Sequence, residues 1–313
     1  MAHTAAGPGH LPVMQREVIE WLITDRDGLY LDGTLGLGGH AAAILEALSE
    51  KGRLLAIELD ETALALAKEN LGVEDPRLSV KHGSYTQAPE LIREMGTQLY
   101  TGVLLDLGIS SHTLEGSGKG FSYRFDEPLD MRFDAGRGAA LYDVLPRLNE
   151  GQITAILRDY GEERQARRLG RLIHNASKDG NLATSGDLAG VVRSLVKGPA
   201  VTKVMARVFQ AFRIYINDEL SALEQFLDQL AAILQTGGRA VIITFHSLED
   251  RLVKQFFKRE SQDCICPPRL PVCQCGHRAA FRVMTRKPLL PSADELAANV
   301  RSRSAKMRVA ERI

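Results

Sequence analysis

Residues 29 to 60, LYLDGTLGLGGHAAAILEALSEKGRLLAIELD, constrain this chain more than any other stretch. A short apolar run around Leu29 and Leu31 closes on Asp32-Gly33, and Gly36, Gly38 and Gly39 follow at once. Glycines there permit positive φ and, having no side chains, let the backbone approach a ligand closely. Ala41 to Leu48 then carries apolar residues at helical spacing, Gly52 stops that helix, and Leu54 to Leu59 is apolar apart from Glu58. A continuous apolar run of that kind suits a parallel strand covered on both faces. The stretch therefore predicts one βαβ unit and, with it, an α/β fold. Glu58 stands 20 residues beyond Gly38, the separation at which an acid at the tip of the second strand meets a ribose hydroxyl pair. The unit reads as a nucleoside site. Its helix N-terminus suits a phosphate or an amino-acid carboxylate equally, so NAD and S-adenosylmethionine both remain open on these residues.

The 39 basic and 39 acidic side chains cancel, so any nucleic-acid surface has to come from local clustering. Met1 to Gln15 has no basic segment followed by an apolar core, and no run of 18 apolar residues occurs; a cytoplasmic protein with no membrane partner is expected. Met1 to Gly9 is small and polar and is expected to be disordered, with an amphipathic helix from Val13 to Leu22. Glu61 to Leu71 reads as a helix, and Leu78 to Lys81 and Val103 to Leu107 as strands. Tyr85, just beyond the first of these strands, either borders an adenine or is an ordinary half-buried aromatic. Asp106 lies inside the apolar VLLDL strand, which is costly unless the acid has partners or a task. Ser110 and Ser111 follow it in a turn rich in hydroxyls.

From about Thr113 the βα rhythm breaks. Residues 113 to 138 are glycine-rich and interleave Phe121, Tyr123, Phe125 and Phe133 with Lys119, Arg124 and Arg132, which predicts an ordered loop rather than a linker. Helical signals follow over Ala139 to Leu145, Gln152 to Asp159, Glu162 to Ala176, Ser185 to Val196 and one long stretch, Val201 to Leu234. Thr184 is a plausible N-cap. Arg164, Arg167, Arg168, Arg171, Lys203, Arg207 and Arg213 fall in two stretches without acids, either a phosphate-binding face or a solvated one. Gly237-Gly238 reads as a helix cap leading into a strand over Ala240 to Phe245. Residues 281 to 287 and 305 to 311 supply closing strands. The organisation expected is a core in two parts, residues 1–114 and 216–313, around an all-helical insert, residues 115–215.

The segments HLPV from His10, DGTLGLGGH, LLDLGISS, GFSYRFDEPLDMRFD, YGEER, FQAFRIYINDEL, TFHSLEDR and RSRSAKMRVAER resemble, in order, successive blocks of the bacterial ribosomal RNA small-subunit methyltransferase H family, also called MraW. The resemblance covers nearly the whole chain. It implies a Rossmann-like class I methyltransferase core with an inserted helical domain, S-adenosylmethionine as cofactor, and N4-methylation of a cytidine in the decoding region of 16S ribosomal RNA of the small ribosomal subunit. Carried over position by position, Gly38, Gly39 and His40 would contact the methionine end, Glu58 the ribose hydroxyls and Tyr85 the adenine, with Asp106 beside the donor. The family usually has Asp where this chain has Glu58, which lengthens the reach of the carboxylate, and Gln where it has Thr113, which removes an amide.

Asp106 is the candidate acceptor for the amine, with Ser110 and Ser111 shaping the same pocket. Phe121, Tyr123 and Phe245 are candidate walls for an unstacked base, or else core residues. His246 binds substrate or caps the next helix, and Arg167, Arg168 and Arg207 are candidate phosphate contacts. Two other classes stand against this reading. A nicotinamide-dependent oxidoreductase needs a nicotinamide pocket with a proton donor, which no segment supplies, and a non-catalytic RNA-binding or ribosome-assembly factor needs no chemistry at all.

All four cysteines lie in Cys264-Ile-Cys266 and Cys273-Gln-Cys275, with Pro267, Pro268 and Pro271 between the pairs. Four thiolates suit a structural zinc ion, although one-residue spacing is tighter than the usual two to four. A hairpin of reduced cysteines is the alternative.

Overall fold

The computed structural model describes residues 12–313 except 73, 74, 95, 97, 98, 115, 268, 269 and 271, with residues 111, 112 and 300 described in main chain only. Met1 to Gly9, Pro268, Pro271 and the Ser111 side chain therefore lie outside the described residues. The chain forms two compact units, one running through Gly108 and resuming over Ser221–Ile313, the other Ile109–Leu220.

The first unit is built on seven strands: β1 (Leu29–Asp32), β2 (Arg53–Glu58), β3 (Leu78–His82), β4 (Tyr100–Asp106), β5 (Leu234–Thr244), β6 (Phe281–Val283) and β7 (Lys306–Arg312). They form one sheet in the order β3-β2-β1-β4-β5-β7-β6. The first five run parallel, and β7 pairs antiparallel with both β5 and β6. Parallel neighbours need long crossovers. Helices α1 (Gln15–Leu22), α2 (Gly39–Ala47), α3 (Glu61–Leu71) and α4 (Ala88–Glu94) precede or connect the first four strands; α4 has no counterpart among the helices expected from pattern. Every residue of β1 is buried, so both faces must be covered. Leu29, Leu31, Leu55 and Val103 pack into one apolar layer with Phe226 and Leu230. Tyr30, Leu54, Leu104 and Val241 pack into the other with Val18, Leu22 and Ile44, as the two-residue period of a strand requires. The chain winds outward through β1, β2 and β3, then returns to place β4 on the other side of β1. Such a reversal opens a crevice beyond the carboxyl ends of β1 and β4.

The second unit holds α5 (Ser111–Leu114), α6 (Leu141–Val144), α7 (Glu150–Asp159), α8 (Ala166–Lys178), α9 (Ser185–Leu195) and α10 (Ala200–Asn217). Leu169, Ile173, Leu188, Val192, Val208 and Phe212 form its core. At Gly170 a Cβ would stand 2.5 Å from Thr154 Oγ1, so α7 and α8 approach where α8 lacks a side chain. Thr184 caps α9, its hydroxyl accepting the Asp187 N–H at 3.1 Å. Residues 113–138 are ordered by polar contacts of their own. The Glu127 carboxylate accepts the N–H groups of Gly118 at 3.1 Å and Gly120 at 2.9 Å, and Lys119 donates to the Phe133 carbonyl at 2.8 Å. Met131 is held at φ 60° by its N–H to the Lys119 carbonyl and by Asn217 Nδ2 on its own carbonyl, each 2.7 Å.

Three expectations are corrected. The long helix over Val201 to Leu234 is two helices, α10 and α11 (Glu219–Ile233), because Asp218 takes a left-handed conformation at φ 49° that Asp tolerates better than most residues. Arg213 fixes the break by donating twice to the Glu219 carboxylate, at 2.7 and 2.9 Å. Gly237-Gly238 is not a helix cap: β5 begins at Leu234, and its register with β4 jumps from Tyr100 opposite Leu234 to Gly102 opposite Arg239. The glycines form that bulge, with Gly237 at φ 80°. The closing strand expected over 281–287 ends at Val283, after α12 (Ser247–Glu260), and α13 (Ala293–Ala298) precedes β7.

Gly102 sits in β4 where a Cβ would meet the Tyr30 ring at 2.7 Å and Leu22 Cδ1 at 2.8 Å. The ring cannot swing aside, since Tyr30 is fully buried and its hydroxyl donates to the Asp25 carbonyl. Gly102→Val should therefore destabilise the protein by about 1–3 kcal/mol through overpacking, read as a lower Tm in thermal unfolding; an unchanged Tm would mean that the sheet yields.

Candidate active site

Three of the parallel strands end in acids at the crevice. β1 ends on Asp32, β2 on Glu58 and β4 on Asp106. The turn after β1 is stitched to both neighbouring strands. Gly33 N–H donates to the Leu104 carbonyl and Leu35 N–H to the Ile57 carbonyl, each 2.9 Å. Thr34 N–H donates to Asp32 Oδ1 at 3.1 Å, while the Thr34 hydroxyl accepts the Asp106 N–H at 2.6 Å. Gly36 N–H donates to Glu58 Oε2 at 2.7 Å, and Glu58 Oε1 accepts the N–H groups of Leu59 and Asp60 at 2.9 Å. Gly38, at φ 89°, begins α2 without any side-chain cap, so no cap side chain meets the first N–H groups of that helix and a ligand can take them. A Cβ on Gly39 would fall 2.5 Å from Pro12.

His40 enters from the first turn of α2, its Nε2 3.5 Å from Asp106 Oδ2. Among the described residues, Asp32 Oδ2, both ring nitrogens of His40 and Asp106 Oδ1 are buried with no hydrogen-bond partner. Native interiors seldom leave such atoms unmet, and here four of them gather at one crevice. Burial pushes the Asp32 carboxyl up to about 6, against the pull of His40 and the Thr34 N–H. Burial likewise pushes Glu58 up to about 7, outweighing its backbone donors. For His40 burial acts downward, but Asp106, Asp32 and Glu295 outweigh it and the imidazole ends above its ordinary value. Three carboxyl groups thus close the crevice around one imidazole, which suits a ligand carrying N–H donors.

Gly38, Gly39, His40, Glu58 and Asp106 are thus brought to one turn. Tyr85 joins them: a Cβ on Gly33 would lie 2.9 Å from its Cβ, and its ring meets Phe226 edge-on at 5.4 Å. Phe245 packs over Gly108 and is half-buried. His246 is a helix cap, its Nδ1 accepting the Glu249 N–H at 3.4 Å and its Nε2 lying 3.1 Å from Glu249 Oε1. In the second unit, Ser110 shares a hydrogen bond of 2.8 Å with Thr113. Phe121 is buried and stacked on Phe133 at 5.2 Å, and Tyr123 meets Phe209 edge-on. Arg207 is bound at 2.7 Å to the buried Glu163, whereas Arg164, Arg167, Arg168 and Arg171 are exposed. Sequence reasoning passed over Asp32 and Thr34. The signal for Asp32 was the one that singled out Asp106, an acid closing an apolar parallel strand. Phe125, exposed at 41% beside exposed Arg124, stood out in the sequence only as part of its segment.

Residues 8–313 match the profile of the MraW methylase family. The chain belongs to that family. A protein of Heliobacterium modesticaldum called ribosomal RNA small subunit methyltransferase H is 42% identical to this methylase over 308 residues, 97% of this chain and 98% of its own length. Proteins of the same name from Clostridioides difficile and Syntrophotalea carbinolica are 41% and 43% identical, each over 97% of this chain and 99% and 98% of their own. A solved putative rRNA methylase from Clostridium thermocellum, 12% identical, aligns with a TM-score of 0.43 over 96% of this chain and 95% of its own.

Family membership sets the nicotinamide reading aside. The methylase uses S-adenosylmethionine, and its residues fit that cofactor. The acceptors without partners at Asp32 and Asp106 call for N–H donors such as an α-ammonium, the uncapped N-terminus of α2 calls for a carboxylate, and Glu58 has lone pairs left for a diol. Among the described residues no helix is long and apolar enough to cross a membrane.

The raised pKa of Glu58 gives the methylase a signed pH dependence. Between the ordinary carboxyl value of about 4.3 and its own the folded state holds the extra proton, so the stability linked to Glu58 is full below that range and is lost as pH rises through about 7. Cofactor binding runs the other way, because a diol donates best to the carboxylate. Affinity for S-adenosylmethionine should rise from about pH 6 to about pH 8. Glu58→Gln should flatten that rise and weaken binding at the upper end by roughly 1.5–3 kcal/mol. Calorimetry across this range decides it, and a pH-independent affinity in the parent protein would take Glu58 out of the ribose site.

Proposed function

We propose that this methylase transfers a methyl group to N4 of a cytidine in the decoding region of 16S ribosomal RNA. The names of its relatives supply the ribosomal RNA of the small subunit, and the block-by-block resemblance supplies the base. The observation that carries the site is the set of buried polar atoms without partners on Asp32, His40 and Asp106. Both molecules the reaction needs bring N–H groups: the α-ammonium of the cofactor and the exocyclic amine of cytosine.

When bound, S-adenosylmethionine supplies an activated methyl group on a sulfonium. The residues supply the rest. The cytosine amine is a poor nucleophile because its lone pair is delocalised into the ring. Asp106 Oδ1 accepts one of its N–H bonds, favours the pyramidal form and takes the proton the nitrogen sheds as its new bond to carbon forms. His40, beside Asp106 Oδ2, orients that carboxyl. Asp32 and the first turn of α2 hold the amino-acid end of the cofactor, and Glu58 and Tyr85 its nucleoside end. Most of the rate gain then comes from alignment of nitrogen, methyl carbon and sulfur.

In the second unit the exposed arginines of α8 and of the turn before it, Arg164, Arg167, Arg168 and Arg171, bind RNA phosphates without reading sequence. Arg207 instead serves Glu163. For stacking on an unpaired base, exposed Phe125 suits better than Phe121, which the core already holds. Phe245 of the first unit remains a proposed wall for the target base, Ser110, Ser111 and Tyr123 of the second unit remain proposed RNA contacts, and His246 acts through its cap of α12.

The deciding experiment is nucleoside analysis of 16S RNA from a strain without this gene. N4-methylated cytidine should be missing and should return with the parent gene but not with Asp106→Asn. In single-turnover assays that variant should lose roughly 10²–10⁴-fold in rate while binding cofactor within a few-fold. An unchanged rate would make Asp106 structural, and unmodified RNA despite complementation would overturn the proposed reaction. Replacing Arg164, Arg167, Arg168 and Arg171 with Gln should weaken RNA binding and lower the salt slope by about 0.7–0.9 for each phosphate that is no longer neutralised. Filter binding at several salt concentrations reads this, and an unaltered slope would leave these arginines a solvated face.

A further inference from the structure

Between the end of α12 and the start of β6 the chain makes an excursion over residues 261–280. Its base is closed by the Ala280 N–H on the Glu260 carbonyl at 2.8 Å. None of its described residues is buried, and Ile265, Leu270 and Val272 are exposed at 45, 42 and 68%. Its described residues form no helix or strand; a loop of this length without a core is uncommon in a compact domain, and small segments of this kind are ordered by a cross-link.

The four cysteines supply the means. One Sγ from each of Cys264, Cys266, Cys273 and Cys275 lies within 4.8 Å of every other. Cys273 and Cys275 stand 3.6 Å apart and Cys264 and Cys275 3.9 Å. A Zn–S bond of about 2.3 Å sets the edge of a tetrahedron of sulfurs at about 3.8 Å, so these separations are those of ligands sharing one ion. A disulfide would need about 2.05 Å, and all four cysteines are free. The backbone adds a crossed pattern. The N–H of Ile265, in the middle of the first pair, points at Cys275 Sγ at 3.5 Å, and that of Gln274, in the middle of the second, at Cys266 Sγ at 3.4 Å. Donors aimed at sulfur favour the thiolate, the form that binds metals. The short C-x-C spacing is what lets each middle residue reach across to the other pair.

We propose that Cys264, Cys266, Cys273 and Cys275 bind one zinc ion that orders the excursion between α12 and β6. Thiolates select a soft or borderline cation over magnesium or calcium. On binding, the thiols give their protons to solvent. Four protein ligands fill the tetrahedron and leave no open position for substrate, so the ion is structural, and the assignment stands apart from the methylation chemistry.

The test uses the full-length protein, purified from cells without chelator. Elemental analysis should find about one zinc per chain, and cobalt exchanged into the site should show the intense visible bands of tetrahedral thiolate coordination. Cys264→Ser combined with Cys273→Ser should lose the metal and speed proteolytic cleavage within residues 261–280, with cofactor affinity unchanged. Should that variant not fold, the metal content and cobalt spectrum of the parent protein still decide. An intact mass showing lost hydrogens without metal would mean disulfides and overturn the proposal. So would four freely alkylated thiols in a protein that takes up no zinc when it is titrated under reducing conditions.

Discussion

The Thr34 hydroxyl, holding the Asp106 N–H at 2.6 Å while its own N–H meets Asp32, joins the two strands between which the sheet reverses its order. Parallel strands that diverge at a switch point would leave their carboxyl ends free to splay. The turn of residues 33–36 prevents this by bonding to β4 on one side and β2 on the other. The acids closing these three strands are therefore held at fixed separations before any ligand arrives, which is the condition for a site that aligns reacting atoms rather than assembling around them.

That arrangement works against stability. Two carboxyl groups are lifted well above their ordinary range by burial, and polar atoms on Asp32, His40 and Asp106 are left without partners. Burying such groups costs free energy, and the apolar layers on both faces of the sheet offset it. A ligand carrying N–H donors relieves the same penalties, so the free energy stored in folding the site returns as affinity and selectivity. Glu58 differs in kind from the other two. Its oxygens already hold the turn through Gly36, Leu59 and Asp60, so it shapes the loop that leads into α2.

The second unit sorts its charges by the same logic. Arg207 and Arg213 are absorbed by Glu163 and Glu219, and these pairs fix a helix contact and a helix break. The arginines on the outer face of α8 stay in water, where a phosphate can reach them. Residues 113–138 reach the core through Phe121, Leu129 and Met131 and are ordered further through Glu127, Lys119 and Asn217. In the cysteine loop of the first unit none of the described residues is buried, and its sulfurs take the place of a core.

What pattern alone determined here is local. The period of the apolar residues identified the βαβ unit, α3 from Glu61 to Leu71 and the parallel strands, and the glycines with Glu58 twenty residues on marked the turn at which the Gly36 N–H meets the Glu58 carboxylate. Each of these is set by neighbours within one element or one turn, which a linear pattern records. The break at Asp218 was missed because a left-handed residue leaves no mark in an apolar period that continues on both sides of it. Gly237-Gly238 was misread because a bulge and a helix cap ask the same freedom of glycine, and only the register against β4 separates them. Pairing was equally invisible: seven basic residues in two stretches looked alike until Glu163 and Glu219 took two of them. Asp32, Thr34, His40 and Asp106 come from β1, the turn after it, α2 and β4 and are brought together by the reversal of strand order between β1 and β4. Which buried atoms then lack partners depends on distances across the sheet, and those exist only once the sheet has formed.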